Sequence, residues 1–189
     1  MALLKQGDGN EFTKKEDGIR RKELAATVEN ELFTFLNENL YGIFKADAKT
    51  SIFIRIALNS PNASADKVKP VFERLADMAS DTFVVGQDNL VESPAGNLLL
   101  KKVILFDKTR HSIGSPTFSQ ILLNQIIAKD SIQCYLECNR GAFLLVAMIE
   151  TGILELKDLI AKHIKPLEKM LKSQSTKGAE ILREKLNSK

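Results

Sequence analysis

A chain of 189 residues with a formal net charge of +3 can bury a substantial core as one domain, and its mild basicity permits a polyanionic partner without requiring one. Cys134 and Cys138, the only cysteines, lie one helical turn apart, which excludes a disulfide framework and suits a reducing compartment. No apolar run nears the roughly 18 residues that cross a bilayer; the longest is Ala142–Ile149, and Met1–Leu4 meets Lys5, Gly7 and Asp8 at once, unlike a secretory leader, so no membrane partner is expected.

The first fifteen residues read as irregular, with a turn at Gly7-Asp8-Gly9-Asn10 that lacks the further acidic ligands of a calcium loop. A helix is expected from about Glu16, buried along Leu24, Val28, Leu32, Phe35 and Leu36 and broken at Asn37-Glu38-Asn39 and Gly42. Asp47 can cap the next helix, buried through Ile52, Phe53, Ile56 and Ala57 and ended by Asn59-Ser60-Pro61-Asn62. Ser64 or Asp66 starts another, with the stripe Val68, Phe72, Leu75, Met78 and Ala79 and with Pro70 near its first turn.

Thr82–Glu92 fits either a small hairpin or a loop packed on helices. Ser93-Pro94-Ala95-Gly96 opens an apolar helix, Asn97–Phe106, and Asp107–Ser115 reads as a polar loop. Helices are expected over Pro116–Ala128, Ser131–Glu137 and Gly141–Thr151, the last because its run is rich in Ala, Leu and Met rather than β-branched residues. Gly152 ends it; Ile153–Leu171 is a long amphipathic helix that Pro166 should bend or split, and Thr176–Leu186 closes the chain.

Candidate chemistry is sparse. His111 and His163 have no accompanying nucleophile motif, and Cys134 with Cys138 would need two more ligands to hold a metal, so buried thiols are expected. No phosphate-cradling glycine loop is present. Neither a catalytic residue, a metal site nor a cofactor is assigned, and no enzyme activity is expected. Basic clusters occur at Lys14, Lys15, Arg20, Arg21 and Lys22 and again from Lys157 to Lys177; charge runs of this kind are usually solvated helix faces.

One pattern recurs. Bends at Asp47-Ala48-Lys49-Thr50-Ser51, Ser93-Pro94-Ala95-Gly96-Asn97, Cys138-Asn139-Arg140-Gly141-Ala142 and Ser175-Thr176-Lys177-Gly178-Ala179 each precede an apolar helix. Three of them place Gly three residues after a small or polar one. Their spacing of 37 to 46 residues is that of stacked helical repeats, in which one unit cannot bury its apolar face without its neighbours. The expected fold is therefore all-α, stacked helical repeats forming a curved α-solenoid, with Gly96, Gly141 and Gly178 at equivalent corners.

These bends resemble the Puf (Pumilio) repeat, and with Lys5–Asn10, Lys14-Lys15 and Ile19–Leu24 the order of segments resembles the divergent Puf-A/Penguin family over nearly the whole chain. The resemblance implies an irregular segment at 1–15 and a Puf-like domain at 16–189, the C-terminal part of a longer monomeric protein. It also implies a nuclear and nucleolar location, a part in large-subunit ribosome assembly and pre-rRNA processing, and binding of RNA or DNA with little sequence preference, with pre-ribosomal particles or assembly factors as further partners.

In a Puf repeat a Gly begins the helix lining the RNA-facing surface, where two side chains read a base edge and a third stacks. The matching positions here are Ser51, Ile52 and Arg55; Asn97, Leu98 and Lys101; Ala142, Phe143 and Val146; and Ala179, Glu180 and Arg183. None is a base-reading set, since Ala142 and Val146 offer no hydrogen bond, and Phe143 is expected in the core. What remains is charge: Lys49, Arg55, Asn97, Lys101, Lys102, Arg140, Lys177 and Arg183 form the candidate nucleic-acid surface, whose cations would contact phosphates without reading sequence. The rival expectation is a helical scaffold that docks a partner peptide or assembly factor; an orphan helical enzyme is the third.

Overall fold

A computed structural model describes residues 16–46, 58 and 63–188. It is helical throughout: α1 (Asp17–Ala46), α2 (Ala65–Ser80), α3 (Pro94–Ser112), α4 (Phe118–Ala128), α5 (Ile132–Glu137), α6 (Asn139–Glu150), α7 (Leu154–Ile164), a 3-10 turn (Lys165–Leu167), α8 (Glu168–Ser173) and α9 (Lys177–Asn187). Two rows of helices stack. The glycine-headed row runs α3, α6, α9; the companion row runs α2, α4, α7, and α1 packs on α2. Each helix is amphipathic or wholly apolar, so each buries its stripe only against the neighbour in the stack, which is the solenoid arrangement expected.

Local chemistry explains the bends. Ser93 Oγ accepts from Gly96 N at 3.3 Å and Pro94 occupies the first turn of α3. Cys138 takes the same role with sulfur: its Sγ accepts from Gly141 N at 3.3 Å. At the third bend the cap is Thr176, which accepts from Ala179 N. Glycine is required by close approach. A Cβ on Gly96 would lie 2.3 Å from Leu90 O, and one on Gly141 would lie 2.8 Å from Tyr135 O; both contacts are to backbone six residues earlier. Gly178 instead faces the neighbouring bend, with Asn139 O at 2.5 Å. Gly96→Ala is therefore expected to destabilise the protein by about 1–3 kcal/mol, whereas Gly42→Ala, with nothing within 4 Å of its Cβ position, should stabilise it by up to ~1 kcal/mol. Denaturant midpoints should therefore move in opposite directions; a midpoint that rises for Gly96→Ala contradicts the close approach, and one that falls for Gly42→Ala contradicts the open surroundings.

Several expected boundaries move. α1 passes unbroken through Asn37-Glu38-Asn39 and Gly42 to Ala46. Burial of Phe33, Leu36, Leu40 and Ile43, worth about 1.5–3 kcal/mol for each fully buried apolar side chain, outweighs the ~1 kcal/mol cost of a helical Gly. The face is also rotated from the expected one, leaving Val28 and Phe35 exposed. The helix expected after Asp47 lies outside the described residues except Leu58, which is helical and buried. α2 buries Val68, Phe72, Leu75 and Ala79 as expected, with Met78 partly buried, but Pro70 sits inside the helix rather than in its first turn. Pro70 is exposed, so the carbonyl it leaves free can be hydrated.

Of the two alternatives for residues 82–92, the loop is found. It turns at Gly86, whose φ of +91° favours glycine, and it lays Val91 into the core and Phe83 edge-on to Tyr135 at 5.8 Å. The expected polar loop at Asp107–Ser115 is largely the last turns of α3, which run to Ser112, so His111 lies on that helix. Asp107 and Arg110 continue the buried face of Leu100, Val103 and Ile104 at helical spacing, and both are buried. Asp107 then caps α4: its carboxylate accepts from Phe118 N at 2.9 Å, Ser119 N at 2.6 Å and the Ser119 hydroxyl. Pro166 splits the C-terminal helix into α7, the 3-10 turn and α8, and Gly152, at φ +77°, ends the segment before it.

Candidate nucleic-acid interface

The three glycine bends lie side by side and are stitched by hydrogen bonds. Asn97 Nδ2 donates to Val91 O at 3.1 Å and to Arg140 O, across to the next bend, at 3.3 Å. Arg140 Nη1 returns a bond to Glu92 O at 2.6 Å. One repeat on, Gly178 N donates to Asn139 Oδ1 at 2.8 Å. The Asn97 amide is thus engaged twice, once on the loop of its own bend and once across to the next repeat. Sequence reasoning does not single out Asn139: it stands after the cap Cys138 where the first bend has Pro94 and the third Lys177, so no recurring signal marks it.

Beyond the stitches, the first turns of α3 and α6 place Lys101 against Phe143, with Nζ 5.8 Å from the ring centroid. Phe143 is only partly buried and stands apart from the core cluster, contrary to the expectation. Its neighbours in the helix, Leu144 to Met148, are all buried, so the core on that side is complete without it. Lys102 and Arg140 are exposed close by in sequence on the same two helices, and Leu98 is exposed one residue after Asn97. Ala142 and Val146 are buried and present nothing to a base, and Ala179 is buried too. The arrangement offers two or three cations and one aromatic face, and no base-edge donor set.

Other candidates go elsewhere. Arg183 turns away toward α8, where Nη1 donates to the carbonyls of Leu171 at 2.9 Å and of Lys172 and Gln174 at 3.3 Å, so it satisfies the end of that helix. Lys177 is exposed and pairs with Glu180 at 2.8 Å, which raises its pKa. Lys49 and Arg55 lie outside the described residues. The basic run Lys157–Lys177 is partly paired: Lys157 donates to Ser188 O at 2.5 Å and Lys172 reaches Glu168 at 2.5 Å. Cys134 is half-buried and Cys138 buried, its thiol pKa pushed up by burial; among the described residues no cluster of three metal-ligating side chains occurs.

Comparison with known proteins places this geometry. Residues 1–114 match the CPL (NUC119) domain. Pumilio homolog 3 of Homo sapiens is 31% identical over 195 residues, an alignment that covers 100% of this chain and 29% of that protein. The crystal structure of human Puf-A superposes with a TM-score of 0.81 at 29% identity, over 98% of this chain and 36% of that one. A second structure, of human Puf-A in complex with DNA, superposes with a TM-score of 0.79 at 28% identity, over 97% of this chain and 34% of that one. The chain thus spans less than a third of the length of the curated relative it matches.

Proposed function

Because this chain belongs to the Pumilio-like Puf-A family and carries its CPL domain, we propose that it binds RNA or DNA along the stitched bends without base preference, and serves ribosome assembly and pre-rRNA processing in the nucleolus. The observation that carries this reading is the Lys101–Phe143 pair between neighbouring glycine-headed helices, with Lys102 and Arg140 exposed on the same two helices. Cations contact phosphate and the ring face accepts any base, so affinity comes without sequence discrimination. The burial of Ala142 and Val146, and the engagement of Asn97 in stitching, support the absence of a base code. A solved relative in complex with DNA supports a nucleic acid as the ligand class.

Replacing Lys101, Lys102 and Arg140 together by Ala is expected to weaken binding to unrelated single-stranded RNAs by a similar factor. The slope of log affinity against log salt should fall in steepness by about 2 to 3. Normal binding by the triple variant, or strong preference of the wild type for one sequence, contradicts the proposal. The nucleolar role rests on the family resemblance and is tested separately, by whether the tagged protein cosediments with pre-ribosomal particles.

A further inference from the structure

Among the described residues the glycine-headed row reaches one helix further than its companion row. In the companion row, α4 packs on α2 and on the glycine-headed α3, and α7 packs on α4 and on the glycine-headed α6. The next glycine-headed helix, α9, packs broadly on α6, but among the described residues no companion helix follows it. Between α7, α8 and α9, where the next member of the companion row would lie, the surface holds an open cavity of about 270 Å³. Its floor is apolar, with Ile164 and Leu171 buried and Leu186 half-buried. Its rim carries Lys165, Lys172 and Arg183 against a single acid, Glu168, which is paired with Lys172.

We infer that this cavity is a docking groove for an amphipathic helix of a partner protein, one whose apolar row is flanked by carboxylates. The length and direction of the site come from α7 and α9, which wall it through Ala161, Ile164, Arg183 and Leu186. The apolar floor takes side chains at i, i+3 and i+4 spacing, the helix-in-groove mode. The rim selects sign: three cations to one acid favour carboxylates at the flanks. Arg183 is held in place there by its bonds to the carbonyls of Leu171, Lys172 and Gln174. No aromatic side chain lines the groove, so it offers a nucleic-acid base no stacking face, in contrast to Phe143.

The chain's own α7 supplies the probe, because its row Leu156, Ile160 and Ile164 meets the corresponding position one repeat earlier. A labelled peptide of Leu154–Ile164 carrying Lys157→Glu and Lys162→Glu is capped at both ends and stapled on its solvent side, since so short a free helix is marginal. By fluorescence anisotropy it should bind the full 189-residue chain at least about tenfold tighter than the unaltered peptide, through its added carboxylates. Lys165→Glu with Lys172→Glu in the protein should remove that preference; both residues are exposed, so the fold is kept. Leu186→Asp should weaken both peptides. The inference is overturned if the acidic peptide gains no advantage, or if Leu186→Asp leaves binding unchanged. It is overturned equally if the double charge reversal spares the peptide and abolishes RNA binding, which assigns the face to nucleic acid, or if Leu186→Asp abolishes a concentration-dependent self-association, which makes a second copy the occupant.

Discussion

Leu145→Ala is expected to lower the free energy of unfolding by about 2–5 kcal/mol. Leu145 has no exposed surface, and it sits on α6, the helix that packs against α3, α5, α7 and α9 together. A cavity at such a crossing closes only if α6 shifts. Shifts are opposed at its head on both sides, by Asn97 to Arg140 O and by Gly178 N to Asn139 Oδ1. The transfer cost of the lost methyl groups and the cost of the residual cavity therefore both apply. The readout is the midpoint of denaturant unfolding at unchanged slope. An unmoved midpoint would show that the α6 register is misassigned.

Asp107→Ala is expected to cost about 3–5 kcal/mol, by a different mechanism. It strips the acceptor from Phe118 N and Ser119 N at the start of α4 and removes the carboxylate nearest in sequence to the buried Arg110. That guanidinium has no reserve: its Nε and Nη2 are buried without an acceptor, and it lies between the rings of Phe72 at 4.8 Å and Phe106 at 5.4 Å. Burial lowers the pKa of Arg110 and raises that of Asp107 from its ordinary 3.8 to about 6, outweighing the hydrogen bonds from Ser119 and Phe118 and the attraction of Arg110. A carboxyl with a higher pKa folded than unfolded binds its proton more tightly in the folded state. Its contribution is then fully present below pH ~4 and falls away as pH rises through about 6, by roughly 3 kcal/mol in all. The stability deficit of Asp107→Ala should accordingly be greater at pH 4.5 than at pH 7.5. An equal deficit at both values would mean that the hydrogen bonds hold the carboxyl at its ordinary pKa.

How far the sequence could be read depended on the range of the interaction that decides each feature. A glycine bend is settled within a few residues: a capping oxygen or sulfur, a glycine that can approach backbone, and an apolar run after it. Those ingredients are visible at Ser93–Gly96 and Cys138–Gly141, and both corners are legible from them. The third corner departs from the expected equivalence: its cap is Thr176, so Ala179 holds the place of Gly96 and Gly141, and Gly178, one residue earlier, is needed instead for a contact with Asn139, far off in sequence, which nothing local shows. Pro166 splitting a helix is likewise a local matter, since a missing N–H and a ring clash act on the preceding turn.

The candidate surface was legible in residue type but not in assembly. Lys101, Lys102 and Arg140 could be named as cations near the bends, yet their companionship with Phe143 could not, because apolar patterning assigned that ring to the core. Arg183 has the same sequence relation to its bend as Val146, but its guanidinium serves the carbonyls of α8.

The sequence by itself determined that the described residues are helical and where the bends at Ser93–Gly96 and Cys138–Gly141 fall, because these depend on propensity, capping and residue chemistry within a turn or two. Only the tertiary structure decided where α1 and α3 end, which face α1 buries, and that Asp107 and Arg110 lie inside. These depend on what a distant helix presents to each face. Burial against α2 and the helices beyond it outweighs a local break at Gly42, and a carboxylate one turn from a helix end can cap the next helix and so belong to the core rather than to a loop.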